Sequence, residues 1–209
     1  MTPAKKPKRP RTYWILRPDQ IRCLASARRQ EILDRLVATG PASVRECAAG
    51  LAIAPSALYH HLHKLEAVGL VVAAGSRIVQ RRTERIYAPV APRVRLAGAL
   101  QRGVAPRLMT RVVASLARQM ERDFARAVAD KAGVAAGARR NLGFFRLVGA
   151  PDARTLATIN RHLAAVTELL WNAPGPEKRL VALGWVMAPV APKAARRRPA
   201  RKRPAKPRR

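Results

Sequence analysis

The run Pro55-Ser56-Ala57-Leu58-Tyr59-His60-His61-Leu62-His63-Lys64-Leu65-Glu66 carries hydroxyl, imidazole and ammonium groups at helical spacing. At about 100° per residue, Leu58, Leu62 and Leu65 share one narrow stripe. Ser56, His60, His63 and Lys64 project from the opposite side, with Tyr59 and His61 on the flanks. Such a face donates and accepts hydrogen bonds and carries positive charge, which suits the reading of base edges in a major groove. An ordinary amphipathic helix with a solvated face has the same pattern, so the neighbouring elements decide.

Those neighbours form one unit from Ser43 to Pro89. Ser43-Val44-Arg45-Glu46 is a capping box, predicting a helix from Val44 to Gly50 or Leu51. Leu51-Ala52-Ile53-Ala54 connects it to Pro55, whose fixed φ and missing N–H suit the first turn of a second helix. Gly69 ends that helix. Leu70–Gln80 and Glu84–Pro89 then read as two strands, with Arg81-Arg82-Thr83 as the tip. Arg77, Arg81, Arg82 and Arg85 make the hairpin a cationic arm able to reach phosphates or a minor groove. Helix, turn, helix and basic hairpin, in that order, constitute a winged helix-turn-helix.

The stretches Leu24–Leu36 and Pro55–Val71 resemble ArsR-type winged-helix transcriptional regulators. The likeness runs from about Ile21 to Val90. It implies a repressor that binds operators as a dimer, in some members released by a metal or another effector. Position by position it implies DNA contact from Ser56, Tyr59, His60, His63 and the wing. Metal-sensing members carry a Cys-x-Cys pair in the first helix of the motif; here Ser43-Val44-Arg45-Glu46-Cys47 offers one thiol, at a core position. Cys23 has no ligand partner at i+3 or i+4, and two cysteines without metal spacing read as small buried hydrophobes. His60 and His61 point about 100° apart and are poorly set to chelate one ion. No metal and no cofactor are expected.

Charge points to the same partner. Lysine and arginine number 42 against 12 acidic residues, giving +30 and a pI near 11.9. A field of that size steers polyanions and makes their binding salt-dependent through counterion release. Much of the excess is terminal, in Lys5–Pro10 and in the Lys/Arg/Pro/Ala run Pro192–Arg209. Neither tail can bury a core, so both are expected to be disordered when free and to lie along phosphates when bound. The apolar stretch Tyr13–Leu16 is too short for a signal-peptide core, and Leu180–Val190 is about half a bilayer span. The expected location is the cytoplasm, on the nucleoid.

Beyond the wing, Ala91–Gly103 reads as a linker or a helix start. Pro106 opens a long helix to about Ala132, with Met109, Val113, Leu116, Met120, Phe124 and Ala127 as a near-heptad seam. A second helix follows Asp152, with Leu156, Ile159, Leu163, Val166 and Leu170 in steps of three and four. Leu142–Val148 and Val181–Met187 read as strands. Either stripe can serve as intramolecular core, and one is expected to do so; since winged helices usually reach two half-sites by pairing, a homodimer built mainly by the C-terminal part is expected.

Catalysis finds no support. Asp123, Asp130, Asp152 and Glu168 form no pair, His162 falls on a helix flank, and there is no phosphate loop, HExxH or nucleophile elbow. The expected fold is α+β and mainly helical: a basic arm (1–17), a winged helix-turn-helix (18–92), a helical or small α/β dimerisation or sensor domain (104–190) and a disordered tail (191–209). The expected partners are double-stranded DNA, a second copy and an unidentified small-molecule effector, with no membrane. The expected function is sequence-specific regulation of transcription; the alternative is an architectural nucleoid or chromatin protein with little sequence preference.

Overall fold

The computed structural model describes residues 11–131, 133–173 and 180–190. The expectations for most of the basic arm and for the C-terminal tail lie outside these residues. Strand β1 (Thr12–Trp14) leads into helices α1 (Pro18–Leu24) and α2 (Ala27–Thr39). A two-residue strand β2 (Ala42–Ser43) precedes α3 (Val44–Leu51) and α4 (Pro55–Ala67), and the wing follows as β3 (Val71–Val79) and β4 (Arg82–Pro89). After β5 (Arg93–Arg95) come α5 (Ala97–Gln101), α6 (Pro106–Ala129) and α7 (Ala153–Trp171).

Local chemistry sets the helix ends at the centre of the fold. Ser43 Oγ accepts from the Glu46 amide at 3.3 Å while Glu46 Oε2 accepts from the Ser43 amide at 2.8 Å, closing the capping box. Gly69, at φ +73°, ends α4; its amide donates to Glu66 O and the Leu70 amide to Leu65 O. That 6→1 bond satisfies a carbonyl that would otherwise be unpaired, and Leu65 and Leu70 are both fully buried beside it.

Leu58, Leu62 and Leu65 of α4 join Ile21, Ile32, Leu36, Cys47, Val71 and Tyr87 in one core. Burying a Leu stabilises by about 1.5–3 kcal/mol relative to exposure, so the leucine stripe fixes the orientation of α4. Both cysteines are free and buried, and burial pushes their ionisation up. They pack as small hydrophobes.

Three features depart from the sequence reading. Thr12–Trp14, inside the expected arm, pairs in parallel with Arg93–Arg95, and Ile15 just beyond it is buried; Tyr-Trp-Ile finds a partner and a core pocket there. The wing turns at Gln80 and Arg81, both left-handed at φ +49° and +64°, so Arg82 sits in β4 opposite Val79 instead of at the tip. A two-residue turn of this hand matches the twist of the strands it joins. Lastly, α6 stops at Ala129, because Lys131 adopts φ +49° and leaves the helical region.

The C-terminal part corrects a larger expectation. Residues 142–148 and 181–187 form neither strand nor helix among the described residues, so the regular structure of the C-terminal part is helical and not α/β. A strand needs a neighbouring edge, and these segments have none in the single chain. The buried side of α6 is Met109, Val112, Ser115 and Gln119. It is rotated away from the predicted seam: Val113 and Met120 are exposed. The polar side chains of α2 explain the choice. Gln30 Nε2 donates to Leu24 O and Val112 O, and Gln119 Nε2 donates to Asp34 Oδ2 at 3.4 Å.

Candidate nucleic-acid interface

The predicted reading face is the exposed face of α4. Ser56, Tyr59, His60, His63 and Lys64 are all exposed, while Leu58, Leu62 and Leu65 have no accessible surface. One turn separates Tyr59 from His63, whose rings are tilted with centroids 6.5 Å apart. His61 behaves differently. It is half-buried, burial and the cations Arg29, Arg28 and Lys64 lower its pKa, and it therefore stays neutral near pH 7. Its Nδ1 is buried without a partner among the described residues. His61 belongs to the support of the helix and not to its outer face.

The four wing arginines divide into two pairs. Arg77 Nη2 lies 2.7 Å from Glu46 Oε1 and 3.4 Å from Glu84 Oε2. Arg85 Nη2 lies 2.5 Å from Glu66 Oε1, with its guanidinium 5.1 Å from the Tyr87 ring centroid. Arg77 therefore ties β3 to the start of α3, and Arg85 ties β4 to the end of α4. Arg81 in the turn and Arg82 at the start of β4 are exposed and make no ion pair with another described residue. Among the described residues they are the wing arginines without an acidic partner.

Glu46 serves twice. The Ser43 amide holds its carboxyl below the usual carboxylate range, and Arg77 adds to the effect. The same carboxylate thus caps α3 and anchors the wing. A bulge at Ala74, between the pairs Ala73–Tyr87 and Gly75–Ile86, adds local twist to the hairpin. Gly75 holds φ +132° there.

Arg45 was not singled out by the sequence reading. It sits in the first turn of α3, is 60% exposed at its side chain and reaches Glu84 at 3.5 Å. Its position one residue before the capping Glu46 is the signal that would have marked it. Glu46, Glu66 and Glu84 are all matched by arginine, so no acid in this group opposes a polyanion with unpaired charge.

A second cluster joins the winged part to α7. Arg95 stacks between Trp14 and Trp171, at 5.4 and 4.4 Å from their ring centroids. Glu168 accepts from Arg93 at 3.0 Å and from Arg95 at 3.1 Å. A cleft of about 390 Å³ lined by Arg11, Pro92, Arg93, Trp171 and Asn172 opens beside them.

Residues 24–72 match the family described as a helix-turn-helix domain. The match takes in α2, α3 and α4 and ends as the wing begins, so it covers the predicted reading helix and leaves the hairpin arginines outside. No curated protein matches the chain. No helix among the described residues is long and apolar enough to cross a membrane.

Proposed function

We propose that this chain is a sequence-specific DNA-binding regulator of transcription, acting as a repressor and as a homodimer. The observation that carries the reading is the division of α4 into three leucines with no accessible surface and an outer face of Ser56, Tyr59, His60, His63 and Lys64. A helix so divided is fixed from within and presents hydrogen-bonding groups outward. Within this reading α4 lies in the major groove and reads bases. Arg81, Arg82, Arg45 and the terminal basic tracts hold the backbone and set the register.

The Arg95–Trp171–Glu168 cluster supports a regulatory role for the C-terminal part. It is the place where a small effector, or a change in assembly, could act on the winged part. The ArsR likeness and the nucleoid location belong to the same proposal.

The test is a binding comparison between a selected duplex and random duplex at physiological salt. A regulator prefers its site by roughly 10³-fold or more. An architectural protein shows a steep salt slope with little preference, and that outcome would overturn the proposal. Genome-wide mapping gives the same distinction as a few sharp palindromic peaks against a continuous coat.

A further inference from the structure

Every buried apolar side chain among the described residues lies at or before Val112. From Val134 onward no described apolar residue is buried, and several stand out in solvent: Phe144 is 86% exposed, Phe145 83% and Leu147 85%. Helix α7 buries none of its residues, and its stripe Leu156, Ile159, Val166 and Leu170 faces solvent. Residues 143–150 and 180–190 lie in no helix or strand and make no backbone hydrogen bond to another described residue.

Each of these two segments touches the same helix. Phe144 packs edge-on against Phe124 with ring centroids 5.7 Å apart. A Cβ on Gly184 would stand 2.7 Å from Met120 Sδ. Met120 and Phe124 are one turn apart on α6, so both segments already run beside the same stripe. The run Leu180–Val190 holds no charged residue, and 141–150 holds only Arg146. An uninterrupted apolar run is the pattern of a strand covered on both faces; here each segment touches α6 at one point and is otherwise largely exposed.

We infer that residues 141–150 and 180–190 of two copies of this chain pair into one intermolecular β-sheet that covers the α6 and α7 stripes of both. The occupant is a second copy because of charge and area. Two bodies of +30 repel, and they can meet only where charge has been removed; an acidic partner would instead be met by a basic surface. At 150–250 Å² for each aromatic side chain, the exposed apolar residues of the two segments present on the order of 1,000 Å². A standard interface takes about 800 Å² from each partner, whereas a monomer rarely exposes a patch beyond a few hundred. Backbone without hydrogen-bond partners supplies the edge along which such a sheet grows. This inference rests on the homodimer of the proposed function and specifies its surface.

The experiment is amide hydrogen exchange on the full chain, with sedimentation at the same concentrations. Residues 143–148 and 181–187 should be protected while the chain is a dimer and should lose that protection as dilution gives monomers. Val186→Pro, which removes one backbone donor, and Phe145→Asp should each raise the dimer dissociation constant at least tenfold while the thermal transition of the winged part stays in place. Rapid exchange of both segments in a dimer, protection that persists in a monomer, or a monomer at all concentrations would each overturn the inference. A monomer that still prefers one duplex leaves the regulator reading intact; a protected dimer without duplex preference leaves this inference intact and removes the regulator.

Discussion

Arg77 and Glu46 meet at 2.7 Å across the junction between wing and helix α3, on a carboxylate already committed to capping that helix. The ion pair is about half-exposed on both sides, and such pairs contribute roughly 0–1 kcal/mol. The cap is the larger effect, worth about 1 kcal/mol. Glu46→Gln should therefore cost little stability and mainly loosen the wing, while Ser43→Ala, which removes the side-chain cap of the Glu46 amide, should cost about 1 kcal/mol. Urea unfolding of the two variants checks the order.

The exposed face of α4 makes a second prediction. His60→Ala or His63→Ala should weaken binding to the preferred duplex by about 1–3 kcal/mol and leave random duplex nearly unaffected. Equal losses on both duplexes would show that these imidazoles read no bases.

Arg81 and Arg82 should behave in the opposite manner. Replacing both by Ala removes cations that no described acid holds, so binding to all duplexes should weaken. The slope of log affinity against log salt should flatten by roughly two units. Arg77→Ala should change the slope less, because its charge is already matched by Glu46 and Glu84. A salt titration of the three proteins decides between them.

His61 sets a pH dependence. Its folded pKa is lowered below the usual 6.5, so the unfolded chain binds the proton more readily. Stability from this group is complete above about pH 6.5 and is lost as pH falls through the lowered folded value. His61→Gln should flatten that part of the stability profile. A profile between pH 7.5 and 5 that is identical in parent and variant would contradict the burial of this ring.

The helix-turn-helix was legible because its signals are local. The capping box, Pro55 and Gly69 lie within a turn of the ends they set, and the leucine stripe names its own inward face. The strand Thr12–Trp14 was not legible, since its parallel partner Arg93–Arg95 lies far along the chain and leaves no periodic mark. Charge pattern found four wing arginines without distinguishing the pinned pair from the free pair. That distinction depends on where Glu46 and Glu66 arrive in space. On α6 only Met109 of the expected seam is buried; the helix docks through Val112, Ser115 and Gln119, because Gln30 and Asp34 offer polar partners on α2. For residues 142–148 and 181–187, β-propensity was present and the partner edge was absent.

The last prediction concerns Gln20, which is fully buried and whose Nε2 donates to Tyr13 Oη at 2.8 Å and to Val68 O at 2.9 Å. It joins the N-terminal strand to Val68, the residue that closes helix α4. Its Oε1 is buried without a partner among the described residues, so two effects compete on substitution. Gln20→Leu removes that unpaired acceptor but leaves the Val68 carbonyl without its donor, for a net cost of about 1 kcal/mol. Gln20→Glu keeps the shape and replaces the donor by a carboxylate in the core. It can no longer satisfy Val68 while charged, and a lost bond to a buried group with charge present should cost several kcal/mol near neutral pH. The order should be parent, Leu, then Glu in urea unfolding, with the Glu variant recovering as pH falls and its carboxyl takes up a proton. Equal stability of the Leu and Glu variants at pH 7 would mean that the amide does not hold the end of α4.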